Sequence, residues 1–315
     1  MSFTIILGQM LMIMAMVMVG YLVKKLGWIT NEVYGGISKL VINILNPFML
    51  ISAAMEADRL TGHELTENML YVGLFYALSI FVSIGLAFII VPKGEYRTLY
   101  VLMGAFPNTG FIGIPVIRGI YGKEAVVYIA FYMVIYSILL YSLAIWLSKR
   151  SAAIRGTLKE SEKYAKGFLK QMIVNPGMAA SVIAIFLVMT DIKFPQQVVT
   201  VCDYFGDATI PLSMIMIGCS LVGTKFKEFV GDIRLYVFMI LHMLVMPVIV
   251  ALATRGLGSN EVIRGVFLIE LAMPIGTVVG IMAGEYGADG HYAMKGTMLS
   301  TIVCLVTLPI VGLFF

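Results

Sequence analysis

RTLYVLMGAFPNTGFIGIPVIRGIYG, residues 97–122, is apolar enough to cross a bilayer, yet its middle carries Pro107, Asn108, Thr109, Gly110, Gly113 and Pro115. These are poor choices for a helix that only has to span lipid. Proline removes an intrahelical hydrogen bond and clashes with the preceding turn, so carbonyls near residues 103–106 are expected to be freed. In hydrocarbon a freed backbone group costs several kcal/mol unless protein, water or a ligand meets it. A helix broken at mid-membrane therefore lines a cavity, and secondary transporters hold their substrates at such breaks. Pro107-Asn108 is thus read as a substrate site.

The rest of the chain agrees with a membrane setting. Of 315 residues, 60% are hydrophobic and 13% charged, and the mean hydropathy is +0.96. A soluble domain carries about a quarter charged residues. The basic residues sit in short loops, which gives no nucleic-acid surface. Apolar windows of about 20 residues predict ten spans, at 3–23, 33–55, 69–91, 97–121, 124–147, 173–190, 196–222, 234–254, 262–286 and 291–314. Alternate loops hold 15 and 6 Lys/Arg residues. By the positive-inside rule the richer set is cytoplasmic, which places both termini outside a plasma (bacterial inner) membrane. Residues 148–171 then form one cytoplasmic loop with a surface helix.

The two halves resemble each other. Pro47 in ILNPFML matches Pro211 in TIPLSM at an offset of 164 (211 − 47), and Pro107 matches Pro274 in AMPIGT at 167 (274 − 107). GIYGKEAVVY at 119 matches GEYGADGHYA at 284, an offset of 165. The expected fold is an all-α polytopic membrane protein of two five-helix repeats, 1–147 and 173–315, joined by a linker at 148–172. Five is odd, so the second repeat is inverted. Mid-span residues such as Pro107 and Pro274 can converge, whereas Lys39 and Asp203, at opposite ends of their spans, cannot.

Asn108 offers two donors and an acceptor beside the positive end of a half-helix, which suits a carboxylate. It can equally cap that half-helix. Pro274-Ile275-Gly276-Thr277 forms the matching break, contributing backbone groups and Thr277. Glu270 stands one turn earlier; an intramembrane carboxylate is a functional candidate that can carry a proton or help hold Na⁺. Asp203, Asp207 and Pro211 share one helix face. That face can wall an outward vestibule or bind helices together, and Asp207 joins Glu270 as a candidate for the coupling ion. Asn46-Pro47, Pro115 and Pro211 are read as further helix breaks, with Asn46 near the substrate. His242 is read as structural, and the series Tyr128, Tyr132 and Tyr136 as packing, with lining the cavity as the alternative. No HExxH, GxSxG, P-loop or CxxC occurs, and Cys202, Cys219 and Cys304 lack metal-like spacing, so neither an enzyme nor a resident cofactor is expected.

PNTGFIGIPVIRGIYG (107–122) resembles the P-N-T-x-x-x-G-I-P-L-x-x-x-Y-G signature of the auxin efflux carriers, which include the plant PIN exporters and bacterial malate-permease-like members. MPIGTVVGIMAGEYG (273–287) is similar to the family's second crossover, and LGWITNEVYGGISKLVINILNPFMLISA (26–53) to its first-to-second-span region. The resemblance implies two inverted repeats whose fourth and ninth helices cross at their prolines, an elevator-like motion against a scaffold, and a homodimer. By motif match Pro107, Asn108 and Pro274 take the crossover and substrate-contact positions. Ile275 stands where the plant exporters carry Gln, and Glu270 where they carry a neutral polar residue; both departures point away from auxin. Related bile-acid-symporter-type proteins hold Na⁺ near their crossover, so Na⁺ rivals H⁺ as coupling ion. The reading is a carrier of a small organic anion, of which a malate-like dicarboxylate is one example. The alternatives are a channel-like or sensor protein on the same scaffold, or an intramembrane enzyme, for which Asp203 and Asp207 on a single helix are poorly arranged.

Overall fold

The computed structural model describes residues 3–157, 175–190, 192–222, 231–256 and 260–314. Among these the chain is helical throughout, with one isolated antiparallel bridge, Pro107–Ile275. Six helices are long and apolar enough to cross a membrane: α2 (Asn31–Glu56), α3 (Gly62–Ile90), α6 (Val126–Arg155), α8 (Gln196–Ser220), α9 (Ile233–Thr254) and α12, within Gly290–Phe314. α1 (Phe3–Lys25), α4 (Glu95–Ala105), α5 (Thr109–Tyr121), α7 (Pro176–Thr190), α10 (Glu261–Leu271) and α11 (Thr277–Glu285) complete the set.

Several boundaries differ from those read in the sequence. α3 begins at Gly62, one to two turns earlier than its apolar run, because Thr61 and Glu64 close a capping box. The Thr61 hydroxyl accepts from the Glu64 N–H at 3.2 Å, and the Glu64 carboxylate accepts from the Thr61 N–H at 2.9 Å. α6 runs on as helix to Arg155, through the first residues of the segment read as a loop. The proposed surface helix lies mostly at 158–174, outside the described residues.

The expected breaks at Pro47, Pro115 and Pro211 are not breaks. The Asn46 N–H reaches back five residues to Val41 O, and the Ile114 N–H to Thr109 O, so one wide π-turn precedes each proline and the helix continues. Met246 before Pro247 does the same, bonding Leu241 O. Widening the turn relieves the clash between the ring and the preceding carbonyl without releasing the chain. Pro211 lies inside an unbroken α8.

Packing separates the helices into neighbourhoods. α1 lies along α8, and α2 along α7 and α8. α3 lies along α4 and α10, α11 along α12, and the second half of α6 along α4. Small residues allow the closest approaches: a Cβ on Gly20 would overlap the Ile215 backbone of α8, and one on Gly218 the Val17 backbone of α1.

Candidate functional site: the crossing of two broken helices

The two true interruptions, Phe106–Asn108 and Ala272–Gly276, meet each other. The Asn108 N–H donates to Pro274 O at 2.7 Å, and the Gly276 N–H donates to Phe106 O at 2.8 Å. The backbone groups freed by one break are therefore satisfied by the other, which is how non-helical chain survives at such depth. α12 supports the second break: the Ile275 N–H donates to Ser300 Oγ at 3.0 Å and Thr297 Oγ1 donates to Gly276 O at 3.2 Å. The approach demands glycine at 276, where a Cβ would lie 2.8 Å from Phe106 O and 3.0 Å from Pro107 O.

This crossing forms one wall of a cavity of about 800 Å³. Pro107, Asn108, Gly110, Gly276, Thr277 and Asn46, all read from the sequence as site residues, line it. Asn108 caps α5, its Oδ1 accepting from the Phe111 N–H at 3.3 Å, while its buried Nδ2 has no partner. Asn46 Nδ2 donates to Gly110 O at 3.4 Å, and Asn46 Oδ1 has no partner. α5 and α11 begin at the cavity wall, and the first turn of each has N–H groups without intrahelical acceptors.

Other expected site residues lie elsewhere. Pro274 acts through its carbonyl, and Ile275 faces a small void shared with His242, whose ring stacks on Phe238. Thr109 turns away from the cavity and donates to Glu270 Oε2 at 2.6 Å. Glu270 is fully buried behind α5, and its Oε1 has no hydrogen-bond partner. That oxygen occupies the space a side chain at Gly113 would need. Asp207 does not join Glu270: it pairs with Arg118, while Asp203 pairs with Lys123. Neither aspartate lines the cavity. Lys39 is exposed, and Asp203 finds Lys123 instead of it.

The sequence reading missed Asn43, Asn175, Thr297 and Thr301, which also line the cavity. Tyr136, read as packing, lines it too, while the buried Tyr132 hydroxyl has no partner. Asn43 and Asn46, three apart in an apolar run, were the available signal. Among the described residues no three His, Cys, Asp or Glu side chains gather as a metal centre.

Residues 5–311 match the family described as "Membrane transport protein". The chain belongs to this family. The resemblance to the auxin efflux carriers read from the motifs is borne out. Two archaeal relatives are similar along almost their whole length. One, an "uncharacterized transporter" of Methanothermobacter thermautotrophicus, is 25% identical over 311 residues, covering 95% of each chain. Another, an "uncharacterized transporter" of Methanocaldococcus jannaschii, is 25% identical over 316 residues, covering 96% of each. The protein is thus a multi-pass membrane protein of a transport family.

Proposed function

We propose that the protein is a secondary carrier that moves a small organic anion by alternating access at the crossing of α4–α5 with α10–α11. The observation that carries this is the unpartnered Asn108 Nδ2, buried at the cavity wall between the first turns of α5 and α11. A carboxylate placed there accepts from the amide and from two helix N-termini, each worth roughly half a positive charge.

The same geometry narrows the substrate. No Lys, Arg, His, Asp or Glu is among the described residues lining the cavity, and much of the lining is Met, Ile, Leu and Phe. Two half-charges balance one carboxylate, and the second carboxylate of a malate-like acid would be left without a cation in a low-dielectric wall. The favoured cargo is therefore a singly charged acid with an apolar body.

Glu270 and Thr109 are the proposed coupling pair. An ionised Glu270 behind the first turn of α5 repels a substrate carboxylate in front of it. A proton or Na⁺ on Glu270 removes that repulsion, so ion and acid bind together, with Thr109 Oγ1 tying the carboxylate to α5. Asp207, held by Arg118, has no part in this. No catalytic step is assigned, the location is the plasma membrane with both termini outside, and the assembly is a homodimer.

The test is uptake into proteoliposomes from a panel of aromatic and aliphatic monocarboxylates, dicarboxylates including malate, and neutral amino acids. Each is tried with and without imposed Na⁺ and pH gradients. Saturable, gradient-dependent uptake of a monocarboxylate is expected. Absence of uptake by folded protein under every gradient would move the reading to a sensor, and uptake confined to dicarboxylates would overturn the substrate class.

A further inference from the structure

The cavity reaches only one end of the helix bundle. Its lining runs from the crossing to Tyr34 and Ser38 in the first turns of α2, to Asn175 and Gly177 at the start of α7, and to Ser220 at the end of α8. Away from it stand Glu56, the last residue of α2, and Asp203 and Asp207, about two and three turns into α8; none of them lines it. There Arg118, in the last turn of α5, pairs with Asp207 of α8. Lys123, in the turn that follows α5, pairs with Asp203 of α8 and with Glu56 at the end of α2, the latter at 2.8 Å.

We infer that these three ion pairs are the latch that keeps the far end of the transport path shut. They join α5, which carries the substrate-facing Asn108, to α2 and α8, which pack on α1 and α7. No motion of the crossing that opens the cavity toward that end can leave all three intact. Their composition suits a reversible closure. The Asp207 side chain is 57% exposed and that of Glu56 38%, so neither charge is sealed inside the protein when the pairs part. Arg118 and Lys123 are mostly covered, at 16% and 19% exposure, which ties them to the interface in the closed state. A latch whose partners are only partly covered biases an equilibrium without locking it. The inference rests on the carrier reading for its purpose, but the accessibility it predicts does not depend on transport.

The experiment uses the full chain in sealed vesicles, with its three cysteines replaced and a single reporter introduced by Thr277→Cys at the cavity wall. A membrane-impermeant maleimide is applied from one side or the other. Reporter protein with the latch intact should label from the side on which Tyr34 lies. Adding Asp203→Asn with Asp207→Asn should raise labelling from the Lys123 side roughly three- to tenfold, as expected for loss of a few half-exposed pairs. Asp207→Arg alone should raise it likewise, and adding Arg118→Asp, which re-forms that pair with its charges exchanged, should bring it back toward the starting value. Unchanged labelling in the Asn variant would overturn the latch, as would an exchanged pair that is folded yet remains open. As a second measurement, Lys123→Cys with Asp203→Cys, joined by a short bis-methanethiosulfonate linker through two disulfides, should stop substrate exchange until those disulfides are reduced. Exchange at an undiminished rate in the cross-linked protein would also overturn it. If the uncross-linked protein exchanges no acid at all, the carrier reading falls, and the labelling shift still decides the latch.

Discussion

Two of the settings in which proline occurs here stand in contrast, and the contrast singles out the candidate site. Before Pro47, Pro115 and Pro247 the helix widens by one residue and goes on. At Pro107 and Pro274 it stops, and the chain leaves the helical path, as at Phe106 (φ −126°, ψ 81°). The ring has the same effect in every case: one lost donor and one displaced carbonyl. What differs is the partner. The widened turns supply their own acceptor five residues back, whereas each crossover break is completed by the other through the Asn108–Pro274 and Gly276–Phe106 hydrogen bonds. A proline therefore marks a weak point, and a second broken segment beside it lets the helix stop there.

The sharpest way to break this contrast is to push the two breaks apart. Gly276→Ala puts a methyl against two backbone carbonyl positions that cannot rotate away. The expected cost is about 1–3 kcal/mol of stability, typical of overpacking, with transport reduced at least about tenfold through displacement of Asn108. Thermal unfolding in detergent and uptake on the same preparation check both. Glu270→Gln is expected next: the fold is kept, because the amide can still accept from Thr109, but dependence on the imposed Na⁺ or pH gradient disappears. Gradient dependence equal to the wild type would return Glu270 to a structural role. Pro115→Ala should matter least. It lets the π-turn at 109–113 close to a regular helix, with a change in stability within about 1 kcal/mol. A loss as large as that of Gly276→Ala would erase the distinction between the two settings.

The crossing itself was legible because Pro107 and Pro274 interrupt two apolar runs at nearly the offset that separates the other matching motifs of the two halves. Which prolines interrupt was not legible. Whether a helix absorbs proline by widening depends on local turns and on what lies across from them, and neither appears in a single segment. The side of the helix tip on which Thr109 points was equally hidden, since the π-turn at its start shifts the facing of every following residue. The ion pairs could have been anticipated. Arg118 and Lys123 close one apolar run and Asp203 and Asp207 lie within another, and opposite charges at one depth seek each other. Reading Asp203 and Asp207 against one another, as neighbours on a helix face, concealed their partners on α5 and in the turn after it.

The central claim is that Asn108 presents its free amide nitrogen to a substrate carboxylate at the crossing. It is tested most directly by counterflow in proteoliposomes preloaded with an acid found to be transported, comparing the wild type with Asn108→Ala of verified fold. The account predicts accelerated exchange of external labelled acid by the wild type and a loss of about a hundredfold in the variant, since both the helix cap and the ligand contact are removed. Exchange by Asn108→Ala within about twofold of the wild type would contradict it.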